Sequence, residues 1–324
     1  MDTPPLTLLV LADPAEPRLE MLDRFRDAAT IVAGADLDAF RQAAPMADAI
    51  LVWAGDRDLL QGVLAITPQV RWVHTRAAGL DSLLFPALVE SPVMLTNSGG
   101  VYSRSLGEFV AGAVLYFAKD FRRMIRNQTA GRWEQFDVEE VHGKTMGIVG
   151  YGDIGRAAAA QAKALGMRVI ALRRHPEQSR GDGLIDQVMA PDRILDLMGH
   201  SDYVVASAPL TPQTKGLIDA AAIAAMKPTA VLINVGRGPV IDEVALVAAL
   251  REKRIRGAAL DVFEQEPLPQ GHLLYGLENV LLSPHCADHT QTWVDDAMHI
   301  FVQNFERFRN GAPLANVVEK RLGY

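Results

Sequence analysis

The sequence predicts an α/β fold made of two doubly wound parallel sheets. Three observations indicate this fold class. Short apolar runs alternate with helical patterns along nearly the whole chain, which is typical of parallel sheets with crossover helices. A glycine-rich turn follows one apolar run near the middle of the chain. The chain of 324 residues also exceeds what one hydrophobic core usually serves, so we expect two domains.

The first hundred residues contain five short apolar runs that we interpret as strands. They are Leu6–Ala12, Thr30–Ala33, Ala49–Ala54, Val70–Thr75 and Val93–Thr96. The segment before Arg18 has no lysine or arginine, so residues 1–12 fit a first strand better than a signal peptide. Asn97-Ser-Gly-Gly100 then predicts a hinge. Ser105 and Glu108 have the spacing of a capping box, which predicts a helix from there to about Arg123.

A second α/β series begins at Met146 and contains six predicted strands. They are Met146–Val149, Arg168–Ala171, Tyr203–Ala206, Val231–Val235, Gly257–Leu260 and Val280–Leu282. A helical pattern over Gln291–Arg309 follows the last strand and has no partner strand in this series. We therefore expect the final helix to return to the first domain. The predicted division is 1–98 with 288–324 for a discontinuous domain, and 99–287 for the other.

The glycine turn has the pattern Gly150-x-Gly152-x-x-Gly155 and lies between a predicted strand and the helix Arg156–Leu165. Gly150 allows a tight turn, Gly152 allows close approach of a pyrophosphate, and Gly155 allows close packing of helix and strand. The helix N-terminus favours the negative charge of the phosphates. The pattern alone also occurs in turns that bind nothing. Because strand, helix and second strand follow in the required order, a Rossmann-like dinucleotide site is the better interpretation.

The end of the second strand of this series suggests which dinucleotide is bound. Arg173 occupies the position where an NAD-binding unit carries a carboxylate for the ribose 2′-hydroxyl, and Arg174 follows it. A guanidinium pairs with a 2′-phosphate, whereas a carboxylate would repel it. The alternative is a solvated pair of arginines at a strand end. The sequence therefore favours NADP as cofactor and leaves NAD possible.

Composition excludes several other classes of protein. The apolar share of 49% and the charged share of 22% are those of an ordinary globular protein. A formal charge of −7 argues against a nucleic-acid-binding protein. The sequence contains no run of 18 apolar residues, so we expect no membrane span. The single cysteine permits no internal disulfide, so we expect a cytoplasmic protein.

Polar segments follow the last predicted strands and carry three candidate catalytic side chains. Arg237 follows the strand that ends near Val235, Glu266 follows the strand that ends at Leu260, and His285 follows Leu282. Loops at the carboxyl ends of parallel strands line the ligand crevice of a doubly wound sheet. Arg237, Glu266 and His285 are therefore expected to converge near the nicotinamide.

These segments, together with Leu210-Thr-Pro-Gln-Thr214, resemble the D-isomer-specific 2-hydroxyacid dehydrogenase family. The likeness extends from Trp72 to the end of the final helix and rests on an Arg in a Gly-Arg-Gly turn, a Glu-Pro after Asp-Val-Phe, and a Pro-His after the last strand. The resemblance implies two α/β domains, a nicotinamide cofactor and hydride transfer to a short 2-keto acid of the glyoxylate or hydroxypyruvate type. It also implies a homodimer formed through the helix from Ser105 and the loop Thr129–Trp133.

The resemblance assigns a role to each candidate residue. His285 is the general acid, Glu266 fixes its tautomer, and Arg237 holds the substrate carboxylate and polarises the carbonyl. Backbone amides around Ala78 and Gly79 also hold the carboxylate, and Asp261 binds the nicotinamide carboxamide. The remaining cofactor contacts are expected from Gly150, Gly152, Asp153, Ile154, Gly155, Arg173, Arg174, Ala208, Pro209, Thr214, Val235, Gly236, Arg237 and His285.

Other interpretations remain open for several of these residues. Glu264 is the nearest alternative to Glu266, and His285, Cys286 and His289 mimic the spacing of metal ligands, although we expect no metal. Asp288 and His289 stand where many family members have small residues, so the family's substrate preference does not carry over. Trp53 and Trp293 either line the pocket or pack in the core. A dehydrogenase of another small acid and a dinucleotide-sensing, corepressor-like protein are the alternative functions.

Overall fold

Each half of the chain forms its own wholly parallel sheet in the computed structural model, which describes residues 5–54 and 56–324. Of the described residues, the first unit contains those up to 101 together with 291–324, and the second contains 102–290. Both boundaries lie slightly C-terminal to the expected positions, 98/99 and 287/288. Residues 1–4 of the predicted opening segment lie outside the described residues.

The first unit has a five-stranded sheet in the order β2-β1-β3-β4-β5. Its elements are β1 (Leu6–Leu11), β2 (Ala29–Gly34), β3 (Ala49–Val52), α1 (Arg57–Ala65), β4 (Trp72–Thr75), α2 (Pro86–Glu90) and β5 (Met94–Asn97). All five strands correspond to predicted strands. The order 2-1-3-4-5 is that of flavodoxin-like sheets.

The second unit has a seven-stranded sheet in the order β8-β7-β6-β9-β10-β11-β12. Its elements are α3 (Ser103–Ala118), α4 (Phe121–Thr129), β6 (Thr145–Val149), α5 (Asp153–Ala164), β7 (Arg168–Leu172), β8 (Gln187–Met189), α6 (Ile194–His200), β9 (Tyr203–Ala206), α7 (Ala220–Ala224), β10 (Val231–Asn234), α8 (Glu243–Arg251), β11 (Gly257–Leu260) and β12 (Val280–Leu282). Counted within the unit, the order is 3-2-1-4-5-6-7, which is the Rossmann order with one additional strand.

The prediction of six strands in this unit was wrong by one, because β8 was missed. This strand lies at the edge of the sheet and pairs only with β7, with Ile170–Leu172 opposite Gln187–Met189. Three residues of which one is polar give no detectable periodicity, so pairing rather than local sequence defines this strand.

The prediction for the helix after the hinge was also wrong in two respects. Ser105 and Glu108 do not form a capping box: α3 begins at Ser103, the Ser105 hydroxyl donates to the Ala287 carbonyl at 2.7 Å, and Glu108 pairs with Arg104. The helix also ends at Ala118 and does not reach Arg123. Asp120 adopts a left-handed φ of 51° and caps a separate helix, α4, by accepting from the Arg123 N–H.

The final helix, α9 (Trp293–Arg309), belongs to the first unit, as expected. Its buried side chains Met298, Phe301 and Phe305 pack in one core cluster with strand residues of the first sheet. Phe301 stacks on Trp72 of β4 with ring centroids 5.4 Å apart. Burial of this apolar face explains why the chain returns to the first unit after leaving the second. None of the helices in the described residues is both long and apolar enough to span a bilayer.

His74 of β4 is buried in the first unit and lies in a chain of hydrogen bonds. The Trp72 indole N–H donates to Thr96 Oγ1 at 2.8 Å, and the same oxygen lies 2.7 Å from His74 Nδ1. His74 Nε2 lies 3.4 Å from the Ser98 hydroxyl. Because Thr96 accepts from Trp72, its own proton is available for His74, which is satisfied as a neutral ring. Burial lowers the pKa of His74 to about 3.

This histidine makes folding sensitive to acid. Its pKa in the folded state lies below the unfolded value near 6.5, so its contribution to stability is complete above pH 6.5 and is lost as the pH falls towards 3. We expect the unfolding free energy to fall by up to about 1.4 kcal/mol per pH unit in that window because of His74. Urea unfolding from pH 7 to pH 4 checks this: His74→Gln should reduce the slope relative to wild type. The same dependence of unfolding free energy on pH in the two proteins would contradict this role of His74.

Candidate active site

The predicted site residues of the second unit lie at the carboxyl ends of its strands. Gly150 follows β6, Arg173 follows β7, Arg237 lies just after β10, and Asp261 follows β11. His285 comes shortly after β12. Strand order reverses between β6 and β9, and ligands of doubly wound sheets bind at such a switch point.

The glycine turn is shaped by close contacts. Gly150 has a φ of +96°, and a Cβ there would lie 2.5 Å from the Ala208 Cα, so no other residue fits. A Cβ on Gly155 would lie 2.6 Å from the Gly150 carbonyl oxygen. The Ser207 hydroxyl donates to that carbonyl at 2.8 Å. These contacts hold the end of β6 against the end of β9.

The residues around this turn fit a dinucleotide. Apart from Gly152 and its two chain neighbours, no described residue has an atom within 4 Å of the point where a Cβ on Gly152 would stand, so there is open space at the start of α5. Gly152 is the N-cap and provides no side-chain hydrogen bond. The first N–H groups of α5, at Asp153, Ile154 and Gly155, therefore have no intrahelical acceptor and suit a pyrophosphate.

The other predicted cofactor residues line the neighbouring strand ends. Thr214 closes the turn after β9: its hydroxyl oxygen accepts from the Thr211 N–H at 2.8 Å and donates to the Pro209 carbonyl at 2.5 Å. The Val235 N–H donates to the Ala206 carbonyl at 3.0 Å. The structure thus brings this turn, the glycine turn and the end of β10 to one edge of the sheet.

Arg237 is presented by a turn that Asn234 organises. The buried Asn234 side chain accepts from the Gly236 N–H at 3.1 Å and donates to the Arg237 carbonyl at 3.1 Å. Close packing of the next residue, Gly238, against the backbone of Phe263 leaves no room for a side chain there. Arg237 is half-buried, and its guanidinium donates to the Gly236 carbonyl at 2.8 Å.

His285 and Glu266 form a close pair. His285 Nδ1 lies 2.6 Å from Glu266 Oε2, and Glu266 Oε1 accepts from the Phe263 N–H at 2.9 Å. Both oxygens of the carboxylate are therefore engaged, and the imidazole is oriented with Nε2 on the opposite side. Glu264 is exposed, and within the described part of the chain only its backbone N–H has a partner, Glu243. Of the two candidate glutamates, the structure therefore pairs Glu266 with the histidine.

The loop that carries His285 is held by Asp261. One carboxylate oxygen, Oδ1, accepts from the Ser283 hydroxyl at 2.5 Å and from the N–H groups of Cys286 and Ala287 at 3.0 and 3.1 Å. The Asp261 carbonyl accepts from the His285 N–H at 2.9 Å. His285 itself has a left-handed φ of 52°, an uncommon conformation that these bonds maintain.

A cavity of about 540 Å³ adjoins the His285–Glu266 pair. Its remaining walls are largely apolar and include Phe263, Leu268, Tyr275 and Leu282. A ligand beside the pair would therefore contact a largely apolar surface.

The predicted carboxylate-binding amides belong to the first unit, on the loop after β4. Ala78 and Gly79 are half-buried, and among the described residues their N–H groups have no protein acceptor. The Ala78 carbonyl accepts from the Asn97 side chain at 2.7 Å, which fixes the loop. In the same unit, Trp53 is buried and Trp293 is half-buried, and both rings face the Arg76 guanidinium at 5.2 and 5.4 Å.

The family model described as the NAD-binding domain of D-isomer specific 2-hydroxyacid dehydrogenases matches residues 111–287, more than half of the chain. The chain belongs to the D-isomer specific 2-hydroxyacid dehydrogenase family. It is therefore an NAD(P)-dependent oxidoreductase, as the resemblance predicted.

Individual family members support this assignment. The glyoxylate reductase of Aeropyrum pernix is 35% identical over 290 residues, which are 85% of this chain and 84% of that enzyme. The D-3-phosphoglycerate dehydrogenase of Methanocaldococcus jannaschii is 31% identical over 278 residues, or 84% of this chain, but the match spans only 52% of that longer enzyme. A solved family member from Xanthobacter autotrophicus Py2, in complex with NADPH and MES, is 30% identical and superposes with a TM-score of 0.83, covering 99% of this chain and 100% of that one.

Asp288 and His289, which depart from the family pattern, lie beside the loop that carries His285. Asp288 is half-buried, and its Oδ1 atom is buried with no hydrogen-bond partner in the described part of the chain. Burial raises the pKa of Asp288. His289 Nε2 lies 3.8 Å from this oxygen. No group of three or more His, Cys, Asp or Glu side chains among the described residues is arranged to hold a metal ion.

Sequence reasoning missed the residues that support the site. Asn234 and Ser283 received no predicted role, and Asp261 was assigned only to the nicotinamide. Tyr151 and Asp182, 31 residues apart, share a hydrogen bond of 2.9 Å that no sequence pattern indicated. A buried polar residue directly after an apolar strand was the available signal for Asn234 and Asp261, because such a side chain requires partners.

The Glu266–His285 contact predicts that substitution of Glu266 lowers kcat more than the same substitution of Glu264. Glu266→Gln keeps an oxygen for the imidazole but removes the charge that stabilises a protonated ring. A hydrogen bond to a charged group contributes about 1.5–3 kcal/mol, so we expect kcat for keto-acid reduction to fall about 10- to 100-fold. Steady-state assays with Glu264→Gln as the matched control should show near wild-type rates. Equal losses in both variants would argue against a specific role of Glu266.

Proposed function

We propose that the chain reduces a short 2-keto acid, of the glyoxylate or hydroxypyruvate type, to the D-2-hydroxy acid, with NADPH preferred over NADH. The observation that carries this proposal is the His285–Glu266 pair, with Nδ1 and Oε2 2.6 Å apart at the carboxyl edge of the dinucleotide-binding sheet. The glyoxylate reductase of Aeropyrum pernix supports the substrate class. The NADPH-bound family member from Xanthobacter supports the cofactor.

The proton comes from His285. The bound nicotinamide would supply the hydride, and the keto oxygen then requires a proton to become a hydroxyl. His285 Nε2 donates that proton, because Nδ1 is already held by Glu266. The Glu266 carboxylate stabilises the protonated imidazole before transfer and maintains the orientation of the ring. In the oxidation of a hydroxy acid the same nitrogen takes the proton back.

The substrate carboxylate is bound by Arg237 in the proposed function. Arg237 brings a positive charge on a turn whose backbone Asn234 fixes, so the position of its Cα is set before a ligand binds. A guanidinium next to the keto oxygen also stabilises the charge that develops there during reduction. The N–H groups of Ala78 and Gly79, which have no acceptor among the described residues, suit an anion.

An assay over a panel of 2-keto acids tests the function. We expect oxidation of NADPH, followed at the reduced-nicotinamide absorbance, with glyoxylate or hydroxypyruvate, and slower oxidation of NADH. His285→Ala should lower kcat by about 10²–10⁴-fold, as expected for loss of a general acid. His299→Ala, at an exposed histidine of α9, is the matched control and should keep the wild-type rate. No turnover of any keto acid would refute the proposal, and full activity of His285→Ala would remove the histidine from its role.

We also propose that the chain forms a homodimer through α4 and the loop after it. Phe121, Met124 and Ile125 lie on one face of α4 and are 40%, 40% and 59% exposed, and Trp133 is 94% exposed. Large apolar side chains clustered on a surface in this way are typical of a protein interface. A second copy covering the patch removes this apolar area from water.

Light scattering after size-exclusion chromatography tests the dimer. The wild-type chain should elute as a dimer, whereas Ile125→Asp combined with Trp133→Ser should give a monomer, because a charge and a loss of apolar area both oppose association. Val244→Ser is the matched control: Val244 is 82% exposed but lies on α8 and outside the patch. A wild-type monomer, or a double variant that remains dimeric, would refute this interface.

A further inference from the structure

Arg173, the first residue after β7, has both ends of its guanidinium fixed. Nη1 donates to the Ser179 hydroxyl at 2.9 Å, and Nη2 donates to the Gln178 amide oxygen at 2.9 Å. The Arg173 N–H donates to the Met189 carbonyl at 3.0 Å and ties the backbone to β8. Ser179 is itself buried. The guanidinium is therefore held in one place by the segment that connects β7 and β8.

These contacts leave most of the donor capacity of Arg173 available. A guanidinium has five N–H groups, and the two neutral acceptors use one each, so three remain. Neither acceptor carries a negative charge that would neutralise the guanidinium. The three acidic residues of the connecting segment have other partners: Glu177 pairs with His175 at 3.3 Å, Asp182 with Arg156 at 3.1 Å, and Asp186 with Lys163 at 2.6 Å. The full positive charge of Arg173 is thus available to an anion.

A carboxylate that accepts from the ribose hydroxyls favours NADH, and Asp182 is a carboxylate that contacts the glycine turn, through Tyr151. Its Oδ2 atom accepts from the Tyr151 hydroxyl at 2.9 Å and from Arg156 Nε at 3.1 Å, and its Oδ1 atom accepts from the Leu184 N–H at 3.1 Å. Burial acts to raise the pKa of Asp182, but these hydrogen bonds outweigh it and lower the pKa. The carboxylate therefore stays ionised while its oxygens serve the fold.

We propose that Gln178 and Ser179 are positioning residues for cofactor selectivity. They hold the Arg173 guanidinium ready for the 2′-phosphate of NADP(H), while Tyr151 and Arg156 keep Asp182 away from the ribose. The proposal rests on the NADPH preference proposed above and adds its structural cause. Fixing the side chain before binding reduces the conformational entropy that is lost when the phosphate docks.

Binding measurements without substrate test this proposal. Calorimetry on the full chain gives the Kd for NADPH, NADH, 2′,5′-ADP and 5′-AMP. We expect the Gln178→Ala and Ser179→Ala double variant to bind NADPH and 2′,5′-ADP about tenfold more weakly, and to bind NADH and 5′-AMP as wild type does. The single variant Ser179→Thr keeps the hydroxyl and, unlike Ser179→Ala, should bind NADPH as wild type does. Gln61→Ala, at an exposed glutamine of α1, is the matched control for loss of an amide. Thermal melting verifies that each variant is folded.

Four outcomes would overturn the proposal. Equal weakening for NADPH and NADH would indicate a merely structural role of Gln178 and Ser179. Selective loss of NADH affinity in Asp182→Asn would show that Asp182 serves the ribose after all. If Arg173→Ala abolishes the preference for NADPH but the Gln178 and Ser179 variants do not change it, only the positioning role fails. If the wild-type chain prefers NADH, the proposed cofactor preference fails together with this inference.

Discussion

The arrangement of the site depends on the buried carboxylate of Asp261. Its Oδ1 atom accepts three hydrogen bonds from the loop after β12, and its backbone carbonyl accepts the N–H of His285. Strand β11 fixes where Asp261 lies, so the sheet fixes the loop, and the loop fixes the proposed general acid in its left-handed conformation. A buried carboxylate loses its hydration, so it requires hydrogen-bond partners; without them it would destabilise the fold.

Polar side chains at the carboxyl edge of this sheet divide into two groups. The first group uses its hydrogen bonds to hold backbone or other side chains and does not contact the substrate in the proposed function. Its members are Asn234, Asp261, Ser207 and Gln178. Asn234 holds the turn that carries Arg237, and Asp261 holds the loop that carries His285, the two members of the second group. A proposed active residue that is positioned in advance loses less entropy on binding, which is why so many polar groups serve support rather than chemistry.

Features that depend on short stretches of sequence were predicted well. The longer apolar strands, the glycine turn and the polar segments after β10, β11 and β12 were all placed within a few residues. Features that depend on a partner were missed. Strand β8 exists because β7 offers it an edge, the Ser105 hydroxyl bonds to Ala287 rather than capping its own helix, and Tyr151 meets Asp182 across 31 residues. A pattern within a short window carries no information about such contacts.

The class of fold, the family and the cofactor class could be predicted from the chain alone. Strand periodicity, the glycine pattern, and the Arg, Glu and His of the three loops are all local properties of the sequence. Three features required the folded chain: the pairing of Glu266 with His285, the hold of Asp261 on the loop, and the neutral partners of Arg173. The physical reason is that hydrogen bonds and ion pairs form between atoms brought within about 3 Å. Residues far apart in the chain reach that distance only when the sheets have assembled.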